Sequence, residues 1–180
     1  MVNIIVSEFV TLDGFFEAPF QWSVPYWNDE IASFKHEELL SVGSLLLGRI
    51  TYEEFAQAWP DRDGHDEYAD RMNYLPKYIV SNTLVTAEWK NSHIIKQTVK
   101  QDINNLKEGS EKDILVFGSG TLTNYLFEHK LVDEIRFLVY PLFHGKGKRF
   151  IDKNHEIKFE LLGTKQMDNG VVLMRYKTLK

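Results

Sequence analysis

The chain is 180 residues long, 43% hydrophobic and carries a net charge of −5, which fits one domain able to bury a sizeable core. It has no cysteine, so a disulfide framework, a thiolate metal site and a Cys nucleophile are excluded. No Lys/Arg cluster marks a nucleic-acid footprint, no apolar run approaches the ~18 residues of a membrane span, and the first residues lack the pattern of a secretion signal, so we expect a cytoplasmic protein with neither nucleic-acid nor membrane partners.

Asn3 to Phe9 predicts the first strand and Thr11-Leu12-Asp13-Gly14 the turn after it. Phe15 to Trp27 is dense in rings, with Phe16, Phe20, Trp22, Tyr26 and Trp27 set between Pro19 and Pro25; such rings either wall a pocket or seal one end of the core. Asn28 suits the cap of a helix reaching about Ser41, with Asp29 and Glu30 at its positive end and Ile31, Phe34 and Leu39 as its apolar stripe. Glu30 borders that stripe, where a partly desolvated carboxylate can bind an amino-heterocyclic group, although a plain first-turn charge is the commoner role. Ser44 to Leu47 is a buried strand closed by Gly48-Arg49, and Thr51 is placed to cap a helix carrying Tyr52, Phe55, Ala56 and Trp59. Arg49 brings a planar fork matched to phosphate, or else pairs with a surface acid.

Pro60 to Asn73 reads as a polar loop running into a short helix, and its acids and His65 match no metal-ligand spacing, so no metal is expected. Lys77 to Val80 is a strand ended by Ser81-Asn82-Thr83; His93 to Ile95 is another, and Val99 to Lys107 an amphipathic helix stopped by Gly109. Ile114 to Phe117 has the length and content of a strand buried on both faces, and Gly118-Ser119-Gly120 ends it abruptly before a helix that Ser119 or Thr121 caps. Free N–H groups and a helix dipole then meet at one point, which suits a phosphate, though plain turn geometry produces the same pattern. Asp133 to Tyr140 is a strand broken by Pro141, Gly145 to Lys148 a flexible basic loop, and Phe159 to Lys165 with Val171 to Tyr176 a hairpin joined through Asn169-Gly170. The alternation predicts a single α/β domain over residues 1–180, with a mixed, mostly parallel central sheet flanked by helices and a C-terminal antiparallel hairpin.

Three strand ends thus carry similar chemistry: Gly48-Arg49-x-Thr51, Ser81-Asn82-Thr83 and Gly118-Ser119-Gly120-Thr121. Ligands of open α/β sheets sit at the carboxyl ends of strands, so the three can converge on one extended phosphate-bearing ligand. With Ser7 to Gly14, Gly48 to Glu53, Pro76 to Leu84, Gly118 to Leu122 and Leu131-Val132-Asp133-Glu134 followed by Pro141 and Gly145, the chain resembles the dihydrofolate reductase superfamily. It is most similar there to the reductase domain of bifunctional riboflavin-biosynthesis deaminase-reductases and its stand-alone relatives.

That resemblance implies a homodimeric reductase that transfers hydride from NADPH to a pteridine- or aminopyrimidine-like heterocycle. It places adenosine-side phosphates against Arg49 and Thr51, the 2′-phosphate region against Ser81 and Asn82, and the pyrophosphate against Gly118, Ser119, Gly120 and Thr121, with Gly48 also among the cofactor-binding residues. Asp13 and Gly14 fall in the loop over the nicotinamide, Phe16, Trp22 and Phe34 in the substrate pocket, and Glu30, with Asp29 as the weaker candidate, at the catalytic acid. Tyr52-Glu53-Glu54-Phe55 stands where the riboflavin-pathway reductases carry Asp-Asp-Pro, so the substrate stays open. The residues also admit a nucleotide-binding module without turnover. For the dimer contact, both Leu131 to Leu142 and the aromatic segment 15–27 qualify.

Overall fold

In the computed structural model, which describes residues 2–151 and 156–179, strands and helices alternate through most of the chain. In order they are β1 (Ile4–Thr11), α1 (Asp29–Ser41), β2 (Ser44–Gly48), α2 (Arg49–Ala58), α3 (Glu67–Tyr74), β3 (Lys77–Val80), β4 (Ser92–Ile95), α4 (Val99–Gly109), β5 (Ile114–Phe117), α5 (Gly120–Glu128), β6 (Glu134–Tyr140), β7 (Phe159–Gln166) and β8 (Val172–Thr178). The aromatic segment before α1 forms two short 3-10 turns, Pro19–Gln21 and Val24–Tyr26.

The eight strands form one sheet in the order β4-β3-β2-β5-β1-β6-β8-β7. β4 through β6 in that order run parallel, and β8 and β7 close the edge antiparallel. The parallel part is buried on both faces because successive side chains alternate: Ile4, Val6, Ile114 and Val116 pack under α4 and α5, while Ile5, Leu45, Leu47 and Leu115 pack under α1, α2 and α3. Each such aliphatic side chain contributes roughly 1.5–3 kcal/mol of burial. A third cluster, Trp22, Ile31, Leu138, Tyr140, Val171 and Leu173, closes the hairpin end.

The β1–β5 pairing ends at Ser7 opposite Phe117, whereas β1 continues to Thr11 against β6 alone. The sheet is therefore open beside Glu8 and the residues after it. Several local expectations change. α2 starts at Arg49, which puts Thr51 inside its first turn, and Ser119 precedes α5 without capping it. The basic loop is tied down: Phe16 donates its N–H to the Lys148 carbonyl at 3.2 Å, and Phe150 to the Gly14 carbonyl at 3.0 Å. Leu131, Val132, Ile135, Leu138 and Tyr140 are spent on the chain's own core, so they offer no free face for a second copy. The hairpin turn uses Asn169-Gly170 with only Gly170 left-handed, at φ 85, while Met167 N–H bonds the Val171 carbonyl at 2.8 Å.

Candidate active site

The ends of β2 and β5 are joined by one hydroxyl. Ser119 Oγ accepts the Gly48 N–H at 2.8 Å and donates to Thr51 Oγ1 at 2.9 Å. This holds the starts of α2 and α5 side by side, and among the described residues no side chain caps either helix. The first-turn N–H groups of both remain free of intramolecular caps, with two positive dipole ends directed to the same place. Gly118 and Ser119 turn at φ 55 and φ 66, and a Cβ on Gly118 would lie 2.8 Å from Thr51 Oγ1, so the turn has to be side-chain-free there.

Gly48, Arg49, Thr51, Ser81, Asn82 and Gly118 to Thr121 all line one cavity of about 1290 Å³. That exceeds the 300–1,000 Å³ typical of a single drug-sized ligand, leaving room for a dinucleotide and a second ring. Arg49 lies at its rim, paired with Glu53 at 2.6 Å. Ser81 Oγ is occupied by the N–H groups of Thr83 at 3.2 Å and Leu84 at 2.9 Å, which shapes the end of β3. Phe20 and Trp27 add apolar wall to the same cavity, and the Phe16 ring lies against Gly120, where a Cβ would come within 2.6 Å of it. The aromatic segment thus serves both roles foreseen for it, since Trp22 and Tyr26 pack on Tyr140 in the core.

At the inner end the cavity meets Ser7, Glu8 and Lys35, which belong to a buried polar cluster. Lys35 Nζ donates to Glu38 Oε2 at 2.5 Å and to Ser7 Oγ at 3.0 Å, and Arg136 reaches Glu38 Oε1 at 3.2 Å. Burial pulls the Lys35 ammonium below its ordinary range, against the stabilising charge of Glu38. Burial likewise pushes the Glu8 carboxyl well above the usual carboxylate range; Lys35 opposes this and Glu38 reinforces it. These three residues escaped the sequence reading, which phased α1 on Ile31, Phe34 and Leu39. The stripe that is buried is Ile31, Lys35, Glu38 and Leu39, a regular helical spacing that includes two charges.

Other candidates stand elsewhere. Glu30 points to the β7–β8 hairpin, accepting the Asp168 N–H at 2.7 Å and pairing with Lys165 at 3.2 Å, and these two contacts hold its carboxyl below the ordinary value. It does not line the cavity, nor does Asp29, which is exposed in the first turn of α1. Trp22 and Phe34 pack in the hairpin-end cluster. Asp13 is a strut: its carboxylate accepts the His144 and Gly145 N–H groups at 3.1 and 2.9 Å and the Thr11 hydroxyl at 2.5 Å. Partial burial works against its ionisation, yet those donors prevail and bring it to about 2. Gly14, at φ 83, makes the turn beside it. In the polar segment before β3, Asp66 caps α3 through the Ala69 N–H at 2.7 Å and Asp70 accepts the Gly64 N–H at 2.6 Å.

A parallel sheet parted between its central strands, with helix starts gathered at the strand ends and an antiparallel hairpin closing one edge, defines a dihydrofolate reductase-like α/β domain. The chain belongs to the family described as the RibD C-terminal domain, whose model matches residues 2–173, and this membership supports a reductase-type activity. A Bacillus subtilis (strain 168) protein described as uncharacterized protein YyaP is 29% identical, over 97% of this chain and 94% of its own. Among solved structures, a putative riboflavin biosynthesis protein from Shewanella sp. PV-4 superposes with a TM-score of 0.75 at 18% identity, covering 99% of this chain and 100% of that one. The Thermotoga maritima diaminohydroxyphosphoribosylaminopyrimidine deaminase/5-amino-6-(5-phosphoribosylamino)uracil reductase gives 0.71 at 15% identity, with 99% of this chain matching 57% of that one. Dihydrofolate reductase from Enterococcus faecalis, in complex with NADP(H), gives 0.67 at 12% identity, covering 99% and 97%. No described helix is long and apolar enough to cross a membrane.

Proposed function

We propose that this protein is an NADPH-dependent reductase of a flat pteridine- or aminopyrimidine-like heterocycle. The observation that carries the reading is the pair of uncapped helix starts locked together by Ser119, because a phosphate chain is the ligand such donors suit. The side-chain-free turn at Gly118 lets that chain approach the backbone. In this reading Gly118 to Thr121 hold the pyrophosphate, Arg49 and Thr51 a neighbouring phosphate, and Ser81 with Asn82 the 2′-phosphate. NADPH, when bound, supplies the hydride. The chain's own part is to orient the two rings against Phe16, Phe20 and Trp27, and to keep water from the inner end of the cavity, where Glu8 and Lys35 are desolvated.

The test is a titration of the purified protein with NADPH and NADH, read by the melting temperature. A nucleotide at ~100 times its Kd adds about 2.7 kcal/mol of stability. For a chain of this size each 1 kcal/mol moves the midpoint by roughly 2–4 °C. We expect protection by NADPH at lower concentration than by NADH; no protection by either would remove the assignment.

A further inference from the structure

Strand alternation puts Glu8 on the face of β1 that carries Val6 and Val10, the face packed against Leu122 and Leu126 of α5. Continuing the β1–β5 register one residue beyond Ser7 and Phe117 sets Gly118 opposite Glu8. Gly118 leaves the strand there and has no side chain, so the space beside the Glu8 carboxyl opens into the cavity. On its other side Glu8 pairs with Phe137 of β6, whose ring meets Phe150 at 5.2 Å. The Phe150 carbonyl in turn accepts from Asn124 Nδ2 at 3.3 Å, which brings α5 to the same spot.

Two buried acceptors on residues of this cavity's lining are unmet among the described residues. Glu8 is only 5% exposed, and its Oε1 is buried with no hydrogen-bond partner among the described residues. Asn124 spends its Nδ2 on the Gly120 and Phe150 carbonyls, and its Oδ1 is buried with no donor among the described residues. Both residues line the cavity. Native proteins retain few buried polar atoms of this kind, and those they retain call for an explanation.

We propose that Glu8, together with Asn124 on the same cavity lining, reads an N–H2 group borne on a planar ring that enters the gap between β1 and β5. Two acceptor oxygens call for two N–H donors, and a carboxamide or a ring amino group carries both in one plane. The inference rests on the reading of this cavity as a reductase site, where such a group comes either from the carboxamide of the cofactor or from the amino group of a pterin-like substrate.

Two ligand pairs separate those sources. The first is NADPH and its 3-acetylpyridine analogue, in which a methyl ketone replaces the carboxamide. The second is pterin and its 2-methyl analogue, titrated without nucleotide. If the cofactor supplies the group, the wild-type protein binds NADPH at least ~10-fold more tightly than the acetylpyridine analogue, and Glu8→Leu brings the two within ~2-fold. If the substrate supplies it, the same collapse occurs in the pterin pair. Glu8→Gln keeps the shape and one acceptor oxygen, so it retains part of the preference and shows that loss in Glu8→Leu is not misfolding. A preference that survives Glu8→Leu, or that the wild-type protein never shows in either pair, overturns the inference even when NADPH protects. Failure of NADPH to protect overturns the reductase assignment, and the pterin pair still decides the role of Glu8. Failure of all four compounds to bind overturns both.

Discussion

Glu8, Lys35 and Glu38 stand where an alternating strand and an amphipathic helix call for apolar side chains. Their cost to stability is measurable. The folded-state pKa of Glu8 is raised above its unfolded value, so this group contributes most below about pH 4, where both states hold the proton, and less as pH rises and only the unfolded chain ionises. Glutamine does not titrate. Glu8→Gln is therefore expected to stabilise the protein by about 1–3 kcal/mol at pH 7.5, with the gain shrinking toward pH 4 in urea melts at both values. A gain that does not change with pH would show that Glu8 is held ionised. Lys35 is different because it is paired. Lys35→Met leaves Glu38 to Arg136 and Ser7, and is expected to cost about 3 kcal/mol, near the lower end of what breaking a buried pair costs, in the same melts.

At the scale of elements, the unit β5–turn–α5 depends on the Ser119 hydroxyl, which fixes it to β2–α2. Ser119→Ala leaves the Gly48 N–H without its acceptor, so it is expected to cost about 1–2 kcal/mol of stability and to weaken NADPH protection through the same change. Asn28→Ala is a purely structural counterpart: it removes the cap on the Ile31 N–H, costs about 1 kcal/mol, and leaves nucleotide protection unchanged. The β5–turn–α5 unit and the Asn28 cap were both legible in the sequence, because an apolar run ended by glycines and an Asn before an acidic first turn are local signals. The inner end of the cavity was not. Glu8 faces it only because β1 outruns β5, a register fact that depends on residues more than 100 positions apart. Glu30 was misplaced for a related reason: its spacing puts it on the edge of α1, but the hairpin β7–β8, folded from the far end of the chain, takes that edge and binds its carboxylate.

The whole molecule is a sheet whose middle is sealed on both faces, and this sets how its stability answers to pH. Toward acid, Asp13 matters, since its carboxylate ties the turn after β1 to the segment after β6 and its folded-state pKa is lowered to about 2. The stability it contributes is present above pH 4 and lost between about pH 4 and 2, so Asp13→Asn is expected to flatten that limb of the acid unfolding curve. Toward base, Lys77 acts with the opposite sign. It is fully buried at the start of β3, with Nζ donating to the Asn73 and Lys90 carbonyls at 2.6 and 2.9 Å and lying 4.1 Å from the centre of the Trp89 ring. Burial, aided by the charge of Lys90, brings its pKa down to about 7. Between pH 7 and about 10 the unfolded chain therefore binds a proton that the folded chain does not, and stability attributable to Lys77 rises with pH across that window. The difference between wild type and Lys77→Met isolates this term because all other groups cancel. Relative to Lys77→Met, the wild-type protein is expected to gain about 2–4 kcal/mol from pH 7 to pH 10 in denaturant melts. A difference that stays flat over that range would mean that the two carbonyls and the Trp89 ring hold Lys77 charged in the folded core.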